Sequence, residues 1–163
     1  LLLDTLKASA PARIINVSSA QHANASIEFD NLQGEKKYTN LGSYNQAKLA
    51  LLLWTYELAR RLEGTGVTVN ALHPGIVASN FPAGMAGPAA WAMKLLKPFL
   101  LTSEQGAQTT LYLATSPQVE GVTGKYFVKS QEKQSSSRSY DQAVAARLWE
   151  VTGQLVAPAA QPA

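Results

Sequence analysis

Arg13-Ile14-Ile15-Asn16-Val17-Ser18-Ser19 is the stretch whose reading decides the fold. Its isoleucines and valine fall on both faces of an extended chain, because successive side chains of a strand alternate. A strand that is apolar on both faces belongs inside a parallel sheet, with helices above and below it and a strand on each side. The run stops on two serines, which places two hydroxyls at the strand's end. From Ser43 the pattern becomes helical. Leu49, Leu52, Leu53 and Tyr56 keep the i, i+3, i+4, i+7 spacing of a core-facing stripe. Glu57, Arg60, Arg61 and Glu63 supply the wet face, and Gly64 ends a helix expected from Ser43 to about Leu62.

Val67-Thr68-Val69-Asn70-Ala71-Leu72 reads as a second buried strand, running into His73-Pro74-Gly75, a turn that cannot continue it. Upstream, Leu1, Leu2, Leu3 and Leu6 with Lys7 read as the last turns of an amphipathic helix. A chain seldom opens in mid-helix, so a fragment of a longer protein is expected. Residues 20–41 read as a long polar loop. A Gly- and Pro-rich loop (Pro82, Gly84, Gly87, Pro88) leads to an apolar segment at 89–101, interrupted by Lys94, Lys97 and Pro98. Thr102 with Gln105 reads as a capping box opening a helix to about Thr115. Residues 124–128 read as a third strand, a Ser/Gln/Lys-rich surface loop follows, and Ser139 is expected to cap a last helix containing Trp149. Strand–helix–strand–helix–strand defines an α/β chain, the C-terminal part of a doubly wound parallel-sheet (Rossmann-type) domain. Residues 1–157 are expected to be one half of that single domain and 158–163 a disordered tail. The first strand has one available neighbour, so an unpaired apolar edge is expected.

At 163 residues, 46% of them hydrophobic and 15% charged, the chain can bury the core of one domain. The formal net charge is +3 and the basic residues are scattered, which argues against a nucleic-acid partner. Without cysteine there is no disulfide framework or thiolate metal site, and no metal is expected. No apolar run reaches membrane-spanning length and no signal peptide opens the chain, so no integral membrane segment and a cytoplasmic setting are expected.

Tyr44 and Lys48 lie four residues apart on one helix and face the same way, one turn apart. A free phenol titrates near 10. An ammonium about 5 Å away stabilises a phenolate by roughly 3 kcal/mol at an effective dielectric of about 20. With a serine hydroxyl from a strand end, such a pair can pass a proton to or from an alcohol or carbonyl oxygen. Tyr-x-x-x-Lys alone is a common accident, a part-buried tyrosine beside a solvated lysine. Here it opens a long helix between a strand ending in Ser-Ser and a strand ending before Pro-Gly. In an open parallel sheet those strand ends share the edge where ligands bind. His22 and His73 have no acidic or cysteine partners at ligand spacing and read as loop and strand-end residues.

The series Ile14 to Ser19, Tyr44-Asn45-Gln46-Ala47-Lys48 and Val69-Asn70-Ala71-Leu72-His73-Pro74-Gly75 resembles the C-terminal half of a short-chain dehydrogenase/reductase. Asp30-Asn31-Leu32-Gln33, Gly124-Lys125-Tyr126-Phe127 and Leu148-Trp149-Glu150 resemble its retinol dehydrogenase-like branch. The resemblance covers nearly the whole chain. It implies an oxidoreductase using NADP (or NAD) on a small-molecule alcohol or carbonyl, lipophilic or retinoid-like. Tyr44 would be the acid–base residue. Lys48 would also hydrogen-bond the nicotinamide ribose, and Ser19, rather than Ser18, would hold the substrate oxygen. Pro74-Gly75-Ile76-Val77 resembles the loop that contacts the nicotinamide carboxamide, and Ser79 stands where the family often has a phosphate-contacting threonine. Residues 89–101 match the substrate lid, with a membrane-surface segment as the alternative. The resemblance also implies pairing of two copies through the helix carrying Tyr44.

Family members carry a glycine-rich phosphate loop, and none of the eleven glycines here stands in that arrangement. The residue that selects NAD or NADP and the catalytic asparagine are also missing, so the chain alone is expected to be inactive. Two other readings use the same residues. One is a non-catalytic interaction module that has lost cofactor binding, its open sheet edge covered by a partner. The other is an epimerase or dehydratase built on the same Tyr–Lys pair.

Overall fold

The computed structural model describes residues 2–77 and 100–157. Ser79, the Gly- and Pro-rich loop, all but the last two residues of the expected lid, and the tail at 158–163 lie outside the described residues. The described elements are α1 (Leu3–Ala8), β1 (Ala12–Val17), α2 (Asn40–Arg61), β2 (Val67–His73), α3 (Ser103–Thr115), β3 (Tyr126–Val128), β4 (Gln131–Lys133) and α4 (Gln142–Val156). They make an open α/β sheet in the order β1-β2-β3-β4. β1 and β3 both run parallel to β2, with β1 in register from Ala12 opposite Val67 to Val17 opposite Leu72.

Strand alternation sorts the side chains into two layers. Ala12, Ile14, Val67 and Val69 meet Leu58, Ala59 and Leu62 of α2 and its C-terminal end, with Leu3 and Leu6 of α1 packed alongside. On the opposite face, Ile15, Leu72 and Phe127 meet Leu113 and Tyr112 of α3. Polar residues of β1 obey the same alternation. Asn16 Nδ2 donates to Thr55 Oγ1 in α2 (2.8 Å), while Arg13 Nη1 donates to the carbonyls of Leu113 and Ser116 at the end of α3, each at 3.0 Å. β2 is buried on both faces; β1 is half-buried and ends on Val17, 43% exposed, so the expected open edge is present among the described residues.

The stripe Leu49, Leu52, Leu53 and Tyr56 is buried as its spacing requires. Leu49 and Leu53 pack against Ala145 and Leu148 of α4, and Trp54 stacks on Trp149 at 5.4 Å. The expected helix at 102–115 also forms, with the reciprocal Thr102–Gln105 capping box in place.

Several expectations need correction. α2 starts at Asn40, three residues early, because the Thr39 hydroxyl accepts from Gly42 N–H at 3.2 Å and caps it. Glu57 is not on a wet face: it is buried, held by Arg60 and by Arg61 at 2.6 Å. Ser139 does not cap the last helix. Asp141 does, accepting from Val144 N–H at 3.0 Å, and Ser139 is buried. The Ser/Gln/Lys-rich loop contains a fourth strand, β4, antiparallel to β3 across Lys129 and Ser130 at φ 52° and 58°. Hairpin turns of that handedness usually announce themselves with Asn-Gly or Asp-Gly, and this one does not. The third strand spans only Tyr126–Val128, and the polar loop at 20–41 holds two short 3-10 turns, Ala20–Asn24 and Phe29–Asn31.

Leu52 is fully buried against Tyr56, Ala71 and Tyr126, whereas Leu111 on α3 is 53% exposed. Leu52→Ala is therefore expected to lower unfolding free energy by about 2–5 kcal/mol. Leu111→Gln should change it by less than about 0.5 kcal/mol. Urea denaturation of the two variants checks the assignment, and equal losses would contradict it.

Candidate active site

The end of β1 and the third turn of α2 are tied in both directions. Ser18 Oγ donates to the Lys48 carbonyl at 2.9 Å, and Lys48 Nζ donates to the Val17 carbonyl at 3.0 Å. Ser18 N–H donates to the Leu72 carbonyl at 2.7 Å, carrying the β1–β2 ladder one residue beyond the strand. Ser18 is thus committed to holding strand to helix.

Ser19 instead opens the 3-10 turn Ala20–Asn24. Its Oγ accepts from Gln21 N–H at 3.3 Å. A hydroxyl whose oxygen accepts in this way still has its own hydrogen to donate. The Lys48 ammonium lies 5.5 Å from the centre of the Tyr44 ring. It has three N–H donors and gives one to Val17, so two remain for other oxygens. Lys48 therefore stands between Tyr44 and the last residue of β1, two residues before Ser19.

At the neighbouring strand end, β2 stops at His73 and the chain turns through Pro74 and Gly75. Gly75 has φ +89°, a conformation other residues rarely adopt, and a Cβ there would fall 2.5 Å from Leu101 Cδ1. Ile76 is 65% exposed, and its carbonyl accepts from Leu101 N–H at 2.9 Å. Val77 bridges to Leu101 and packs so closely on α3 that a Cβ on Gly106 would fall 2.5 Å from Val77 Cγ2. The sheet's C-terminal edge thus carries Ser19, Lys48, Tyr44 and the 74–77 turn together, while Ser79 lies outside the described residues. A cleft of about 670 Å³ opens elsewhere, between residues 24–39, the start of α2 and the end of α4, and none of the three catalytic candidates lines it.

His22 and His73 were expected to be ordinary loop and strand-end residues. His22 is instead buried, with Nδ1 2.5 Å from the Ser19 carbonyl and Nε2 accepting from Ser136 N–H at 3.0 Å. A partner 114 residues away leaves no local sequence signal. Around Ser136 the hydroxyls of Tyr56, Ser135 and Ser139 form a chain with 2.6 Å links.

Residues 7–130 match the family described as Enoyl-(Acyl carrier protein) reductase. The chain is 45% identical over 164 aligned residues to retinol dehydrogenase 14 of Homo sapiens, covering 96% of this chain and 47% of that protein. It is 44% identical over 156 residues to retinol dehydrogenase 12 of Mus musculus, covering 96% and 49%. A crystal structure of a putative uncharacterized protein from Mycobacterium paratuberculosis superposes with a TM-score of 0.64 at 28% identity, over 88% of this chain and 50% of the other. A putative NAD(P) dependent gluconate 5-dehydrogenase from Beutenbergia cavernae, with bound NADP, superposes with a TM-score of 0.56 at 23% identity, over 77% and 47%, a likeness of fold. The chain belongs to the short-chain dehydrogenase/reductase family of oxidoreductases, on its retinol dehydrogenase-like branch. It spans about half the length of the curated relatives it matches. No helix among the described residues is long and apolar enough to cross a membrane.

Burial lowers the His73 imidazole below its ordinary 6.5. The folded protein then binds this proton less readily than the unfolded chain. The stability is complete above about pH 6.5 and falls as pH drops below it toward the folded-state value. Urea unfolding at stepped pH should show this loss, reduced in His73→Gln; identical profiles for the two proteins would contradict it.

Proposed function

We propose that this chain is the catalytic half of a nicotinamide-dependent oxidoreductase, NADP being favoured over NAD, that interconverts an alcohol and a carbonyl compound. The observation that carries the reading is the Lys48 ammonium, 5.5 Å from the Tyr44 ring centre and hydrogen-bonded to the end of the strand that delivers Ser19. Tyr44 takes the hydroxyl proton in oxidation and returns it to the carbonyl oxygen in reduction. Lys48 sets its charge beside the Tyr44 ring, and Ser19 donates its O–H hydrogen to the substrate oxygen.

The residues present fit the nicotinamide end of such a cofactor. The two remaining Lys48 N–H donors suit ribose hydroxyls, and the Pro74, Gly75, Ile76 and Val77 backbone, with Ser79 beyond it, is assigned to the carboxamide and phosphate side. When bound, the nicotinamide supplies the hydride acceptor or donor. Nothing in the sequence resembles a pyrophosphate cradle, so that part of the cofactor requires residues outside this chain. Residues 1–157 form, on this reading, the C-terminal half of one Rossmann-type domain. Names of the relatives as retinol dehydrogenases support a lipophilic, retinoid-like alcohol or aldehyde as substrate.

In the longest form of the protein that its source cells make, Tyr44→Phe is expected to lower kcat by about 10²–10⁴-fold. Lys48→Met should lower kcat and cost less than about 1 kcal/mol of stability, because the Val17 carbonyl it releases is open to water. Activity retained in Tyr44→Phe would contradict the reading.

The 163-residue chain by itself, given NADP or NAD and a panel of primary and secondary alcohols, is expected to reduce no cofactor. Turnover by it would show that cofactor binding needs nothing beyond this chain.

A further inference from the structure

We infer that His22 is a positioning residue for Ser19, holding the serine's peptide against the 134–140 segment through one defined tautomer; the inference rests on the role proposed for Ser19. The tautomer follows from the partners. Ser136 N–H can only donate, so Nε2, at 3.0 Å, must be unprotonated. The Ser19 carbonyl can only accept, so Nδ1, at 2.5 Å, must carry the hydrogen. Both requirements are met by one neutral imidazole, protonated on Nδ1.

The same carbonyl also accepts from His22 N–H at 3.2 Å. His22 therefore holds Ser19 O with two donors, and this closes the turn in which Gln21 N–H reaches Ser19 Oγ at 3.3 Å. The Gln21 bond sets where the Ser19 hydroxyl sits, so a displaced Ser19 peptide also re-aims the hydroxyl hydrogen. The ring is held on its other sides too: it is 4% exposed and meets Tyr126 edge-on, with centroids 5.3 Å apart. Ser136 is itself fixed, since its carbonyl accepts from Ser139 Oγ at 2.6 Å, and Ser139 joins Ser135 and Tyr56 of α2. The clamp thus runs from the site serine, through one imidazole, to a hydroxyl cluster anchored on the helix that carries Tyr44 and Lys48. His22 touches neither substrate nor cofactor in this account; it acts through Ser19.

Two variants separate the halves of the clamp. In His22→Asn the amide nitrogen can occupy the Nδ1 position and still donate to Ser19, but Ser136 N–H loses its acceptor. In His22→Gln the longer amide can place its oxygen at the Nε2 position for Ser136, but the Ser19 carbonyl loses its side-chain donor and keeps only the backbone N–H. Hydrogen exchange followed by NMR is expected to show Gln21 amide exchange about tenfold faster in His22→Gln, and Ser136 amide exchange about tenfold faster in His22→Asn. In the longest form of the protein, kcat should fall several-fold further in His22→Gln than in His22→Asn, with little change in KM. Both amides exchanging faster together in both variants, with equal falls in kcat, would reduce His22 to a packing residue and overturn the inference. The nitrogen spectrum of the unsubstituted 163-residue chain gives an independent reading. A ring protonated on Nδ1 is expected, and one protonated on Nε2 overturns the inference even if neither variant folds. An absence of turnover beside the crossed exchange pattern would count against the proposed function and leave the clamp standing.

Discussion

The reciprocal pair of hydrogen bonds between β1 and α2 fixes the strand end against the helix at the proposed site. Ser18 gives its hydroxyl hydrogen to the Lys48 carbonyl, and Lys48 gives an ammonium hydrogen to the Val17 carbonyl. Neither bond is strong, since a neutral hydrogen bond adds about 1 kcal/mol net and a charged one about 1.5–3 kcal/mol. Their value is geometric. A strand end is otherwise able to slide along a helix, and here it is held from both sides. The strand that presents Ser19 and the helix that presents Tyr44 and Lys48 cannot move independently. Lys48 belongs at once to the scaffold and to the proposed chemistry.

Packing makes that tie dependable. α2 buries Leu49, Leu52, Leu53 and Leu58 almost completely, and full burial of such a side chain is worth about 1.5–3 kcal/mol. At its far end Glu57 is buried as well. Burial alone would push its carboxyl up, but hydrogen bonds and charge from Arg60 and Arg61 outweigh it and hold the carboxyl below its ordinary value. Tyrosines inside the layer serve packing: burial pushes Tyr126 up to about 12. Tyr44 differs by position, in the first turns of the helix beside an ammonium.

Much of this was legible in the sequence, for identifiable reasons. β1, β2 and the α2 stripe are dense apolar patterns whose period is set by backbone geometry, and the Thr102–Gln105 box is a local motif whose two halves lie three residues apart. Tyr44 and Lys48 share a helix face for the same reason. The losses came where structure depends on distant partners. β4 is an exposed strand without alternation, made by pairing with β3 through a turn of unusual residues. Glu57 has the residue type of a wet face, but the surrounding core buries it. His22 finds its partners in Ser19 and Ser136, and only the folded chain brings these together. Ser18 against Ser19 could be decided only from resemblance; the fold shows Ser18 Oγ tied to the Lys48 carbonyl, and the role of Ser19 stays a proposal.

Isotope transfer follows the proposed hydride from alcohol to cofactor. The 163-residue chain would be fused behind the amino-terminal half of human retinol dehydrogenase 14, given NADP and a lipophilic primary alcohol deuterated at the carbinol carbon. The reduced cofactor would then be weighed by mass spectrometry. The account predicts deuterium on the nicotinamide, delivered when Tyr44 is present and not when it is phenylalanine. Deuterium released to solvent, or transfer that persists without the Tyr44 hydroxyl, would contradict it.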